Sequence, residues 1–369
     1  MITKGRRIFA IRGIPIEINY SWFLIVALVA WSLASQYFPE QVPGLAPTTY
    51  WVLGILSALA LFASVLLHEL GHSVVAQRNG IAIRGITLHV FGGVAKLARE
   101  ADSPGVEFRI AAAGPAVSFA LALVSDLLLR GPGWPAPAVA LLAYLRLVNG
   151  LVGAFNLVPG FPLDGGRILR ALLWWWKGDL QQATRVTGAI GSGFAYTLML
   201  LGVLSFAGGN PFQGIYYLFI GVFLKQAAEA SVQQVAWRQA LQGIRVGDVM
   251  APDVVTVGPD LTLARLAEDL FWRHHFTSFP VLDGGQVVGI VALKHLRDYP
   301  RERWGEVRVR EAMLPFGPDL QAGPGEAVLD AFARLSQNPV GRMAVVERGG
   351  RLVGYLSVKD MLHILALRG

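Results

Sequence analysis

The chain has no cysteine at all. That absence excludes disulfide bridges and thiolate ligands, so any bound metal must be held by nitrogen and oxygen. Charge is scarce as well. Only 15% of the 369 residues are Asp, Glu, Lys or Arg, while 54% are hydrophobic, and the mean hydropathy is +0.49. A soluble protein of this size is rarely so apolar, which predicts a chain that crosses a membrane. No basic stretch is interleaved with aromatics, so the net charge of +7 reads as basic cytoplasmic flanks and nucleic acid is not an expected partner. The basic start (Lys4, Arg6, Arg7, Arg12) leads into a long apolar run without a small-residue cleavage site, and no cleavable signal peptide is expected.

What is present in abundance is apolar length. The runs predict a polytopic α-helical membrane protein of about six spans, near residues 21–35 (extending toward Phe38), 50–78, 108–129, 138–158, 187–206 and 215–228. The segment Ile8 to Asn19, with alternating Ile and Pro, is expected at the membrane interface. The first loop carries Pro39, Pro43, Gly44 and Pro47 but no Lys or Arg, which places it outside and the N-terminus in the cytoplasm. An even number of spans then returns the chain to the cytoplasm. Between Ile81 and Leu97 the pattern changes to alternation around Gly92-Gly93, the mark of a short β-hairpin. Such a hairpin offers either an edge that takes an extended peptide by strand addition or a packing flap. His89 within it reads as interfacial or structural.

The chemistry is concentrated at the inner end of the second run, in His68-Glu69-Leu70-Gly71-His72. On a helix, residues four apart lie about 40° apart around the axis, so two imidazoles can share one metal ion while Glu69 falls within the same arc. This is the His-Glu-x-x-His arrangement of zinc hydrolases, with the glutamate as general base. Two interfacial histidines met by chance are the bland alternative, but ionisable residues inside a span are costly and usually functional. A third ligand is needed. Pro159, Gly160 and Pro162 break the fourth run just before Leu163-Asp164-Gly165-Gly166, and Asp164 lies 92 residues beyond His72 (164 − 72). The second and fourth spans both run inward, so Asp164 can reach the same depth as the histidines. A turn-forming Asp-Gly pair is its bland reading.

Taken together, His68-Glu69-Leu70-Gly71-His72, Asn156-Leu157-Val158-Pro159 and Leu163-Asp164-Gly165-Gly166 resemble the site-2 protease family of intramembrane zinc metalloproteases. Phe91-Gly92-Gly93 and Ala113-Gly114-Pro115 also match that family's pattern. The resemblance covers roughly residues 1–230. It implies one Zn2+ per chain bound by His68, His72 and Asp164, with Glu69 as base, and cleavage of the transmembrane segment of a membrane protein substrate. It also implies that Asn156 lies near the site, holding substrate or stabilising an oxyanion.

After a linker over 231–244 the composition becomes that of a soluble α/β module, and it repeats. Val246-Gly247-Asp248-Val249-Met250 recurs as Val309-Arg310-Glu311-Ala312-Met313, and Val288-Gly289-Ile290 recurs as Val353-Gly354-Tyr355. Each copy reads strand, helix, two hairpin strands, helix. The repeat resembles a tandem pair of CBS domains, here 245–303 and 304–369, a module that commonly binds adenine nucleotides between its copies. The family's nucleotide signature is kept as Gly354, Ser357 and Asp360 in the second copy, whereas the first has Ala292 and His295 after Gly289. Arg342 or His295 would suit an anionic ligand. A purely structural pair, or one that joins two chains as a homodimer, is the other reading, and a CBS-regulated transporter or channel is the alternative for the whole chain.

Overall fold

A computed structural model describes residues 6–90, 92–335 and 338–361, so Lys4 and Phe91 lie outside the described residues. The chain divides into two compact units, 1–233 and 234–369.

The first unit begins with strands β1 (Arg6–Ile11) and β2 (Ile14–Ile18). They are joined by Arg12 and Gly13, both at positive φ, the two-residue turn whose twist suits a hairpin. Helix α1 (Tyr20–Ser32) passes through a π-helical turn (Leu33–Tyr37) into the short α2 (Phe38–Gln41). Asn19 caps α1 by accepting from Ser21 N at 3.0 Å. Helix α3 (Pro47–Arg78) carries both histidines and Glu69. Strands β3 (Ile83–His89) and β4 (Gly92–Leu97) follow, then α4 (Pro104–Leu129), α5 (Ala136–Asn156), α6 (Asp164–Lys177), α7 (Leu180–Ala207) and α8 (Pro211–Leu241).

Five of these helical stretches are long and apolar enough to cross a membrane: Tyr20–Gln41, Pro47–Arg78, Pro104–Leu129, Ala136–Asn156 and Leu180–Ala207. They cover the first five expected spans. The sixth, 215–228, lies within α8, which is not among the five.

The segment Ile8 to Asn19, expected at the membrane interface, is built as strand. β1 and β2 form a hairpin, and β2 pairs in parallel with β3 (Ile16 with Ile86, Ile18 with Leu88), which gives a four-stranded sheet in the order β1-β2-β3-β4. The driving force is burial. Ile14, Ile16, Ile86 and Leu88 form one core under the sheet, against Val65, Leu66 and Leu70 of α3. On the polar face Glu17 accepts from Lys96 Nζ at 2.8 Å and Thr87 Oγ1 at 2.9 Å, linking three strands.

Glycines set the distance between α6 and its neighbours. A Cβ on Gly165 would fall 2.3 Å from Leu157 O, one on Gly166 2.5 Å from Gly160 C, and one on Gly191 of α7 2.5 Å from Phe161 O. Only hydrogen at these positions lets the broken segment 157–163 fold over the start of α6 and against α7.

In the second unit, β5 (Ser278–Asp283), β6 (Gln286–Ala292) and β7 (Leu314–Pro315) make one sheet. β8 (Gln321–Ala322), β9 (Arg342–Val346) and β10 (Leu352–Ser357) make the other. The cores are interleaved. Leu241, Ile244 and Val246 pack with Val328, Met343 and Leu356, while Val307 and Val309 pack with Leu263, Phe279 and Val291. Each sheet thus has its leading segment from the other side of the repeat. The repeat's two glycines serve this exchange: a Cβ on Gly354 would meet Met250 Sδ at 2.3 Å, and one on Gly289 would meet Met313 Sδ at 2.6 Å.

Candidate metal centre and nucleotide cavity

The fold brings His68, His72 and Asp164 together. Both Nε2 atoms lie 3.1 Å from Asp164 Oδ2, and the three residues are 5%, 5% and 9% exposed. Four-residue spacing on α3 places the two rings on one face, with ring centroids 4.9 Å apart. Asp164 arrives from a different direction. It is the first residue of α6, where the helix dipole favours its charge.

The backs of the rings are held by α4. His72 Nδ1–H donates to Ile110 O at 2.6 Å, and His68 Nδ1 lies 2.8 Å from Ser118 Oγ. A carbonyl can only accept, so the proton of a neutral His72 is on Nδ1 and its Nε2 presents a lone pair to the carboxylate. Acceptors facing each other at 3.1 Å repel unless a cation joins them. The spacing suits zinc. Tetrahedral ligands about 2.0–2.1 Å from the ion are about 3.3 Å from one another. Gly114 of α4 keeps the space open, since a Cβ there would fall 2.2 Å from His72 Nε2 and 2.5 Å from His68 Nε2. Donor set, spacing and room all fit a zinc ion.

Glu69 sits beside this cluster, half-buried on α3. Gly93 of β4 lies directly against it, and a Cβ on that glycine would come within 2.5 Å of Glu69 Cγ. β4 is the outer strand of the sheet, so its other side has no strand partner among the described residues. The hairpin expected between Ile81 and Leu97 is present as β3 and β4, and it runs past Glu69.

Asn156 is placed less directly. It is the last residue of α5, half-buried, and its amide nitrogen donates back to Val152 O at 3.0 Å. The hydrogen bonds of the described residues include none from Asn156 to His68, His72 or Asp164. Asn149, two turns earlier, donates to Ser64 Oγ at 3.2 Å and so ties α5 to α3 one turn from His68. His89 ends β3 and does not join the ligand cluster.

Ser118 and Ile110 lie outside the motifs, while Gly93 lies within one that did not tell its contact with Glu69. Ile110, Gly114 and Ser118 follow at intervals of four on α4, one stripe facing the histidines, and that periodicity was the available signal.

The second unit contains a cavity of about 730 Å³. Ser357 and Asp360 line it, with Asp248, His274, Arg342 and Lys359 among the other polar residues. Asp360 Oδ2 accepts from Ser357 N at 2.8 Å and from Ser357 Oγ at 2.7 Å, which fixes both side chains at the end of β10. Tyr355 Oη bonds Ser278 Oγ at 2.9 Å, and burial pushes that phenol up to about 12. Gly354 acts through packing on Met250. Arg342 reaches the cavity with its guanidinium 5.7 Å from the centre of the Tyr355 ring, whereas His295 does not line it and accepts from Ala292 N at 3.3 Å.

Comparison with known proteins agrees with both halves. Residues 56–132 and 128–200 match the family described as Peptidase family M50, and residues 246–302 and 309–367 match the CBS domain. A zinc metalloprotease of Methanocaldococcus jannaschii is 32% identical over 98% of this chain and 96% of its own length. The Mycobacterium tuberculosis protein Rip3, named as a candidate zinc metalloprotease, is 35% identical over 96% of this chain and 91% of its own. The solved structure of a site-2 protease from M. jannaschii is 33% identical, covering 61% of this chain and 94% of that one, with a TM-score of 0.42. The chain belongs to peptidase family M50, the site-2 protease family of zinc metalloproteases, and it carries a pair of CBS domains.

Proposed function

We propose that the protein cleaves peptide bonds within the transmembrane segment of a membrane protein substrate, using one zinc ion held by His68, His72 and Asp164. The observation that carries this reading is the buried convergence of two Nε2 atoms on one carboxylate oxygen, with Glu69 on the next helical position. Zinc, when bound, polarises a scissile carbonyl and lowers the pKa of water to about 7. Glu69 takes the proton from the attacking water and returns it to the leaving nitrogen. A helical peptide bond is shielded by its own hydrogen bonds, so the substrate must be extended at the cut. The outer side of β4, lined up past Glu69, suits such a strand by backbone pairing. Asn156, at the mouth of the broken segment, holds the substrate there.

The basic flanks and the charge-poor first loop support an N-terminus and CBS pair on the cytoplasmic side. In the second unit, the cavity with Ser357, Asp360 and Arg342 suits an adenine nucleotide: the hydroxyl and cation take phosphate and the carboxylate takes ribose hydroxyls. Nucleotide there regulates proteolysis, and the pair joins two chains in a homodimer. A CBS-regulated transporter or channel would explain the spans and the tail but leaves the joint placement of Glu69, two histidines and Asp164 without a purpose.

The test uses purified protein in detergent with a single-span substrate and compares wild type with Glu69→Gln, assaying bound zinc in both. Cleavage by wild type, lost in a variant that retains zinc, is the expected result. Two inert proteins with full zinc, across varied single-span substrates, would overturn it.

A further inference from the structure

Besides the ligand cluster, the first unit holds one other charged pair with both side chains nearly enclosed, among the described residues. Glu107 in the first turn of α4 has a side chain 2% exposed, and Arg170 of α6 one 11% exposed. Arg170 Nε donates to Glu107 Oε1 at 2.8 Å, and its Nη2 donates to the same oxygen. The guanidinium also lies 5.2 Å from the centre of the Phe161 ring. Phe161, 5% exposed, belongs to the broken segment that leads into Asp164. One arginine therefore fastens α6 to α4 and to the turn that delivers the third ligand.

The other residues of this face of α4 explain what the fastening achieves. Glu107, Ile110, Gly114 and Ser118 are spaced three, four and four apart, a single helical stripe. Ile110 O holds His72, Ser118 lies on His68, and Gly114 clears the space in front of them. Glu107 is the member of that stripe that grips α6. Asp164 and Arg170 are six residues apart, which on a helix is about 9 Å along the axis and about 120° around it. Two anchors at that offset determine both the height and the rotation of α6. Neither is set by side chains at Gly165 or Gly166, which have none.

We propose that Glu107 and Arg170 are positioning residues for the metal centre: α4 sets the histidines and, through this ion pair, also the carboxylate, so that one helix face gauges all three ligands. The inference rests on the reading of His68, His72 and Asp164 as zinc ligands.

The experiment is competitive zinc chelation on the full-length protein in nanodiscs, with the thermal midpoint of the metal-free protein measured in parallel. Arg170→Gln should lower zinc affinity about 10–100-fold, the range for lost supporting partners of metal ligands. Arg170→Lys keeps the charge but not the two-nitrogen grip, and should lie between the two. Arg146→Gln removes a more exposed ion pair to α4, the 3.0 Å α4–α5 contact with Asp126, and should leave zinc affinity unchanged. Zinc affinity of Arg170→Gln within threefold of wild type would overturn the proposal and leave the pair as a helix fastener. If Arg170→Gln does not fold, Arg170→Lys decides by the same threefold threshold. Wild-type protein that binds no zinc would instead refute the ligand assignment.

Discussion

Gly114→Ala is the sharpest perturbation the metal centre offers, because it adds one carbon and nothing else. That carbon would sit 2.2 Å from His72 Nε2, 2.4 Å from His72 Cε1 and 2.5 Å from His68 Nε2. A zinc ion needs both nitrogens at about 2.0–2.1 Å, so methyl and ion compete for one volume. Restoring an ordinary contact of about 3.4 Å requires the imidazoles to retreat by about 1 Å. Ligand distances in a working site hold within about 0.2 Å, so a shift of that size abolishes binding rather than weakening it. We expect zinc affinity to fall at least 100-fold. The helix itself should not suffer, since Ala is about 1 kcal/mol better than Gly in a helix interior, which offsets part of an overpacking cost of about 1–3 kcal/mol. The assay is zinc content after equilibration with a chelator buffer, alongside the melting of metal-free protein. Gly150→Ala, on α5 with no atom within 4 Å of the added carbon, is the control. A folded Gly114→Ala protein with zinc affinity within tenfold of wild type would refute the account of this glycine.

Ser118→Ala removes the hydroxyl beside His68 Nδ1 and should weaken zinc binding about tenfold without unfolding the protein, measured by the same competition. Glu17 gives a pH prediction. Its hydrogen bond from Lys96 holds the carboxyl below the usual glutamate range, against the upward push of partial burial. A depressed carboxyl stabilises the fold above its unfolded value of about 4.3, and that contribution is lost as pH falls through the folded value. Lys96→Met should therefore lower the melting temperature at pH 7 but not at pH 3. The effect should stay under about 1 kcal/mol because the pair is partly exposed; an equal difference at both pH values would contradict it. Asp360→Ala should abolish any rise in melting temperature on adding ATP or AMP to full-length protein, and a rise equal to that of wild type would exclude this carboxylate from the nucleotide site.

The convergence of His68, His72 and Asp164 was readable because its signal is short-range. His68, Glu69 and His72 lie within one turn of a helix whose apolar length is unmistakable, and Asp164 stands out as a carboxylate on a Pro- and Gly-broken run. What supports them was not readable in the same way. The stripe Ile110, Gly114 and Ser118 marks one helix face, but it does not tell that this face meets two imidazoles of another helix, nor that Gly93 presses on Glu69 from a strand. Those contacts depend on how α3, α4 and β4 cross. The hairpin β1–β2 was hidden for a different reason. Ile14, Pro15 and Ile16 do not announce a strand unless Arg12-Gly13 is taken as a turn, and the parallel partner β3 lies about 70 residues away (86 − 16). In the tail the repeat showed that two like halves exist, but similar copies do not reveal that Val246 and Val309 each pack in the other half's core.

That exchange has a consequence for how the tail is made. The core containing Phe279 and Val291 needs Val307 and Val309, which leave the ribosome only after the rest of it. The core containing Met343 and Leu356 needs Ile244 and Val246, which emerge about a hundred residues before it can use them. The first core can close only once residue 309 has emerged, and a chain cut after residue 303 would leave it without its closing segment. The second core closes last, and the apolar segment Leu241 to Val246 waits for its partners until the strands carrying Met343 and Leu356 arrive.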